Sequence, residues 1–298
     1  MAALTTPLPA PVQPGRGARV ARGFERRALP AFTALAIGYL MVPIVIMFIF
    51  SFNRVDQAAG DGKFNYAWHA FSIDAWLHPL AWPGLPQSIG MSLQIAVLAT
   101  VGSTILGTLI GLALTRYHFH GRGVINSLIF LPMATPEIVM GASLLTIFVG
   151  TATVSPFREV IPHGLFFPLG FLTILIAHIM FNVSFVVVTV KARLAGFDRR
   201  LEEAAMDLGA NEWTTFWRVT FPLIFPGIMA AAVLAFSLSI DDFVITSFVS
   251  GTQNTFPIWI YSIQRNALPP QINVVGSLIF IISVGLVGVS TIWQRRRA

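Results

Sequence analysis

The chain has 298 residues, 55% of them hydrophobic and 11% charged, a formal net charge of +6 and no cysteine. At that balance a soluble domain would lack the polar side chains to cover its surface, so the sequence describes a membrane protein. The missing cysteines exclude disulfides, thiolate metal sites and thiol catalysis; the positive charge, a nucleic-acid signal in a soluble chain, here reports topology.

Residues 1–30 mix proline, glycine and alanine with Arg16, Arg19, Arg22, Arg26 and Arg27. They read as a mostly disordered basic cytoplasmic tail ahead of a single transmembrane domain over 31–298. The apolar run 31–52 is too long for the core of a cleaved signal peptide and ends without a small-residue cleavage site, so it is predicted as the first span. An outer loop with Asp56, Asp61, Lys63 and Asp74 follows. The second span, 88–115, carries Gly102, Gly107 and Gly111, which allow close approach of a neighbouring helix.

The third span, 124–150, contains Pro132, Pro136 and Gly141 and the single acid Glu137. Two prolines this close predict a distorted helix, since each removes a backbone donor and crowds the preceding turn. After an outer turn with Arg158 and Glu159, the fourth span covers 165–190; His178 and Asn182 share one of its faces and are expected to hydrogen-bond between helices. A fifth span over 223–249 holds the adjacent acids Asp241 and Asp242. The outer segment that follows includes Trp259, Tyr261 and Arg265. Its apolar part, Phe256 to Ile263, is placed partly in the membrane, with the two aromatics as interfacial anchors or cation–π partners. The sixth span, 272–293, runs into Arg295, Arg296 and Arg297.

Between the fourth and fifth spans lies the polar stretch 198–222, DRRLEEAAMDLGANEWTTFWRVTFP. Leu201, Ala204, Ala205 and Leu208 fall on one helical face, with Glu202, Glu203 and Asp207 elsewhere. Gly209 supplies a left-handed stop and Asn211 a cap for a second short helix through Trp213, Phe216 and Trp217. Fifteen of the 19 lysines and arginines sit on the proposed inner segments and four on the outer ones, which puts this loop and both termini in the cytoplasm. A DNA-binding helix-turn-helix is disfavoured, because the second helix offers only Arg218 as a base.

Glu203-Ala204-Ala205, Gly209 four residues on, and Val219-Thr220-Phe221-Pro222 resemble the EAA signature of membrane subunits of bacterial ABC importers. The family pattern has isoleucine and leucine where Val219 and Phe221 stand. SIDDFVITSFVSG (239–251), the FPIWIYSIQRNALPPQINVVGSL that ends near the last span, and LPMATPEIVMG (131–141) look like the spermidine and putrescine branch. The resemblance implies the type I permease fold: all-α, six transmembrane helices, both termini cytoplasmic. It further implies a coupling helix in which Glu203, Ala204, Ala205, Asp207 and Gly209 meet a cytoplasmic ATP-binding subunit dimer. A second permease subunit, an extracytoplasmic substrate-binding protein and a small cationic substrate are the other implied partners, at the bacterial inner membrane.

No GxxxxGK[ST] loop occurs, so ATP and magnesium are expected on the partner and no cofactor on this chain. No catalytic or metal-ligand constellation stands out, and an enzyme is not expected. An acid at membrane depth costs at least about 2.5 kcal/mol, so Asp242, Asp241 and Glu137 are the substrate-path candidates. The two aspartates point about 100° apart on an unbroken helix, and Asp242 is preferred because it shares a polar stripe with Ser239 and Thr246. The competing roles are a kink or partner interface for the aspartates and capping of a broken helix for Glu137. Alternatives for the whole chain are an importer permease for phosphonate or iron, and a stand-alone secondary transporter or channel.

Overall fold

A computed structural model describes residues 16–54, 65, 67–153, 168–265 and 268–295. The first half of the predicted tail (1–15), the loop stretches 55–64 and 154–167 with Arg158, Glu159 and the start of the predicted fourth span, and Arg296 and Arg297 lie outside the described residues. All regular elements described are helical, and the contacts divide the chain into two compact units, Met1–Pro79 with Leu268–Ala298, and Leu80–Ala267.

In the first unit, α1 (Arg16–Phe50) packs against α12 (Pro270–Arg295), where a Cβ on Gly276 would come within 2.7 Å of Met47 Sδ. Helix α1 begins inside the stretch expected to be disordered. Residues 16–29 are rich in arginine and alanine, both strong helix formers, and they extend the apolar helix backwards. Beyond its end, Asn53 Nδ2 donates to Ala67 O (2.6 Å) and Asn53 Oδ1 accepts from His69 N (2.9 Å), folding the following segment back, and Trp76 of the short α2 (Asp74–Leu77) packs on Phe48 and Phe52.

The second unit is built on α3 (Leu85–Arg116) and α6 (Phe171–Ala195), which run against each other along most of their length. Glycines set that spacing: a Cβ on Gly102 would lie 2.9 Å from Ile179 Cδ1, on Gly107 2.6 Å from Val186 Cγ1, and on Gly111 3.3 Å from Val190 Cγ1. Helix α9 (Phe221–Ile240) packs on both, and Ile224, Ile228, Ala231 and Ala235 complete a core with Val186, Val190 and Leu194.

The predicted third span is two helices, α4 (Arg122–Ala134) and α5 (Glu137–Thr153), bent by 108°. The residue before a proline is pushed out of the helical region, and Thr135, before Pro136, is extended at φ −80° and ψ 133°. Pro132 stays inside α4. The predicted fifth span is also interrupted: α9 ends at Ile240, and α10 (Val244–Val249) starts after Asp241–Phe243. At its other end α9 is longer than expected. α7 (Arg200–Asp207) is separate, but α8 (Glu212–Thr215) passes through one π-helical turn (Phe216–Thr220) directly into α9. The second short helix of the polar loop is therefore the entry of the span, apolar enough to cross a membrane from Glu212 to Ile240. Helix α11 (Phe256–Ile263) occupies the outer segment. Four described helices are long and apolar enough to cross a membrane, five when the bent α4/α5 pair counts as one, and α12 contributes a shorter apolar part, Pro270–Ile282.

Candidate functional site

Two regions hold the predicted residues: the polar loop between α6 and α9, and the helix interruptions around Glu137 and Asp241–Asp242. In the loop, α7 ends as its sequence dictates. Gly209 takes φ 88°, its N–H donates to Met206 O (2.9 Å), and the Ala210 N–H donates to Ala205 O (3.1 Å). These are the paired bonds of a Schellman closure, which a left-handed glycine makes without steric penalty. Asn211 then caps α8, accepting from Thr214 N at 2.8 Å.

The faces of α7 are distributed in an unexpected way. Leu201, Met206 and Leu208 are exposed, Leu208 to 90%, as are Trp213 and Trp217 on the following helix. Glu203, Ala204 and Asp207 are exposed as well, and Ala205 is half-buried. The buried residue is Glu202. Its carboxylate accepts a two-pronged contact from the Arg116 guanidinium at the end of α3, Nη1 to Oε2 at 2.8 Å and Nη2 to Oε1, and a further hydrogen bond from the Thr220 hydroxyl in the π-helical turn. Sequence reasoning passed over Glu202, Arg116 and Thr220 as site residues. The signal present was a basic residue in the last turn of one helix and an acid in the first turn of another, 86 positions apart.

At the second region, Asp242 Oδ2 accepts from the Thr246 N–H (2.8 Å) and the Thr246 hydroxyl (2.6 Å), which holds the first turn of α10. Aspartate serves well at a helix start and poorly in a helix interior, which accounts for the interruption. The same carboxylate oxygen lies 3.4 Å from His178 Nε2 of α6. The ring also approaches Thr246 Oγ1 (2.8 Å, from Nε2) and Ser239 Oγ (2.6 Å, from Nδ1). Because the Thr246 proton goes to Asp242, its oxygen receives the Nε2–H. The stripe of Ser239, Asp242 and Thr246 thus exists, but it closes on His178 within the chain. The Asp242 side chain is 7% exposed, whereas Asp241 is exposed. Asn182, one turn after His178, donates to Ala235 O (3.2 Å). His178 and Asn182 therefore both join helices.

Glu137 opens α5 and is exposed. Short helices α5 and α10 pack directly on each other: a Cβ on Gly141 would lie 2.6 Å from Phe248 Cδ2 and 3.4 Å from Ile245 Cα. Each of two interrupted spans therefore restarts beside an exposed acid, and the restarted helices meet. Among the described residues neither Glu137 nor Asp241 is ion-paired. Trp259 is buried, its indole N–H donating to Pro83 O (3.3 Å), while Tyr261 is exposed, stacks obliquely on Phe243 (4.8 Å) and carries Arg265 over its ring (5.6 Å). No group of three or more metal-ligating side chains occurs among the described residues.

The sequence profile of the family described as "Binding-protein-dependent transport system inner membrane component" matches residues 103–297. The spermidine/putrescine transport system permease protein PotC of Escherichia coli (strain K12) is 35% identical over 265 residues, 89% of this chain and 92% of that protein. PotC of Haemophilus influenzae is 33% identical over 267 residues, 89% of this chain and 96% of that one. The putrescine transport system permease protein PotI of Escherichia coli (strain K12) is 36% identical over 258 residues, 85% of each chain. Among solved structures, a bacterial ABC transporter involved in the import of the acidic polysaccharide alginate aligns with TM-score 0.69 and 15% identity, over 93% of this chain and 99% of that chain. An amino acid ABC transporter aligns with TM-score 0.53 and 18% identity, over 76% of this chain and 100% of that one; at such identities the two structures speak for the fold alone. The profile match and the extent of these relatives converge on one result: the chain belongs to the inner-membrane component family of binding-protein-dependent transport systems, as a multi-pass protein of the bacterial inner membrane.

Proposed function

We infer that the chain is a permease subunit of an ATP-driven ABC importer for polyamines such as putrescine and spermidine. The observation that carries the substrate reading is the meeting of two interrupted spans, each restarting beside an exposed acid, in stretches 123–153 and 219–249 that contain no lysine or arginine. Interrupted helices at membrane depth are where transporters hold substrate, and an acid there calls for a cationic partner. The PotC and PotI relatives favour the same substrate class by their names. Asp241 and Glu137 are the acids we assign to the path. We assign Asp242 to positioning α10, because its carboxylate is already bound to Thr246 and His178.

Six spans with both ends cytoplasmic is the topology supported by the up to five spans counted by length together with α12, and by the arginine asymmetry. α7, with its apolar side open through Leu201 and Leu208, is the coupling helix, presented to a cytoplasmic ATP-binding subunit by the Gly209 corner. Glu203, Ala204, Ala205 and Asp207 lie along it. A second permease completes the path, a binding protein delivers substrate from the outer side, and ATP with magnesium is held by the partner.

Reconstitution of the chain with its partner permease, ATPase and binding protein tests this directly. ATP-dependent, ion-gradient-independent uptake of radiolabelled putrescine or spermidine is expected. Uptake driven by an ion gradient without an ATPase would instead support a secondary transporter, and uptake of phosphonate or iron but not polyamine would overturn the substrate class.

A further inference from the structure

The least expected feature of the molecule is that the buried side of α7 is ionic. A bidentate Arg–carboxylate pair fixes distance and angle together, as a point charge does not. Buried ion pairs add little net stability over well-packed apolar residues, so the consequence of this one lies in its geometry. The Arg116–Glu202 fork joins the last turn of α3 to the first turn of α7, and the Thr220 hydroxyl joins the same carboxylate to the start of α9. Two further contacts brace the joint. Arg199 Nη2 donates to Thr115 O (3.0 Å), one of the carbonyls left open at the end of α3, and the Arg116 guanidinium lies over the Phe197 ring at 5.7 Å. Glu202 therefore ties its own helix to two others, through a partner 86 residues away and another 18 residues away.

We propose that Arg116, Glu202 and Thr220 form a clamp that makes α7 and the cytoplasmic ends of α3 and α9 one rigid body, so that a displacement of α7 moves both spans together. These are positioning residues: none faces the path or the open side of α7. The consequence for transport rests on α7 being the coupling helix. A hinged α7 would swing on the Phe197–Arg199 linker and absorb motion there, whereas a clamped one passes it to α3, whose glycines hold it tightly against α6.

The chain has no cysteine of its own, so Leu208→Cys and Leu109→Cys, both at exposed positions, place nitroxide labels on α7 and α3 for a distance measurement on the full chain in nanodiscs. A narrow distribution is expected with the clamp intact, and a broad one in both Glu202→Gln and Arg116→Lys, since lysine keeps the charge and loses the fork. A distribution that stays narrow in Glu202→Gln overturns the clamp, and one that stays narrow in Arg116→Lys overturns the fork as its basis. Should Glu202→Gln fail to accumulate, Thr220→Val takes its place with the same expectation. In the reconstituted importer, Glu202→Gln is expected to lower polyamine taken up per ATP hydrolysed about tenfold, within the usual range of coupling between sites. If the variants broaden the distribution while the unmodified complex imports no polyamine, the clamp stands and the substrate reading falls.

Discussion

Replacement of Gly209 separates a backbone role from a contact role at the corner after α7. The glycine sits at φ 88°, and a Cβ built on it meets nothing within 4 Å. Within this chain a substitution therefore acts through backbone conformation alone, at about 1–2 kcal/mol for an ordinary L-residue held in the left-handed region. With tenfold in population for each ~1.4 kcal/mol, Gly209→Ala should lower the closed-corner population by roughly 5- to 30-fold. Gly209→Asn should lose less, because asparagine tolerates this region, and β-branched Gly209→Val should lose most. Hydrogen exchange reads this directly at the Ala210 amide, which is protected by its bond to Ala205 O. Protection should rank Gly, Asn, Ala, Val, and polyamine uptake by the reconstituted complex should follow the same order. Equal protection in Asn and Val would refute the left-handed requirement. Uptake that instead ranks by side-chain size, with Ala above Asn, would show that a contact with the ATPase limits this position.

At the same corner, Gly209→Asp should abolish uptake and ATPase stimulation while leaving membrane insertion intact, as measured by membrane fractionation and coupled ATPase assay. Gly107→Leu forces a side chain against Val186 and the Val183 carbonyl. A loss of about 1–3 kcal/mol is expected from overpacking, seen as a lower unfolding temperature of the purified chain, with Gly111→Ala milder. Substitution His178→Ala removes contacts to Ser239, Thr246 and Asp242 and should cost about 1–2 kcal/mol at membrane depth; thermal unfolding checks it, with uptake affinity unchanged in the surviving fraction. Asp241→Asn should raise the half-saturating polyamine concentration without changing assembly, whereas Asp242→Asn should lower the amount of folded protein and leave affinity alone; uptake curves at matched protein levels tell the two apart.

What could be read from the sequence was what is local. Gly209 and Asn211 close and reopen a helix through bonds to residues within five positions, so their residue types were sufficient. Pro136 announced the break between α4 and α5 for the same reason, and Gly102, Gly107 and Gly111 announced a close neighbour without naming it. The π-helical turn at Phe216–Thr220 has no such marker, and the chain runs on into α9 where a separate short helix was expected. Periodicity divided α7 into an apolar and a polar face without saying which turns inward. Tertiary packing decides that: α7 leaves Leu201 and Leu208 open, and the partner of the buried Glu202 comes from another helix. His178 likewise lies more than sixty residues from Asp242. The stripe of Ser239, Asp242 and Thr246 was legible on its own, but whether it faced a path or a histidine was decided by tertiary packing.

The solved structure with TM-score 0.69 belongs to an importer of an acidic polysaccharide, yet the acids of the present chain call for a cation. Both facts are consistent if the helical scaffold sets where a path can run and the residues at its interruptions set what may pass. A backbone break at membrane depth leaves N–H and C=O groups in want of partners, and each break here is answered differently. At Asp241–Phe243, one carboxylate holds the restarted helix through Thr246 and the adjacent one is left outward. At Thr135–Pro136, the backbone N–H and hydroxyl of Thr135 both return to Leu131 O (2.9 and 2.7 Å), and Glu137 is left outward. Both interruptions are thus satisfied by short polar side chains, and each leaves one acid uncommitted beside the packed pair α5 and α10. On the proposed assignment of Glu137 and Asp241 to the path, reversing the charge of these two positions with the scaffold untouched is expected to abolish putrescine uptake by the reconstituted complex, and uptake that persists in Glu137→Lys with Asp241→Lys would refute that assignment.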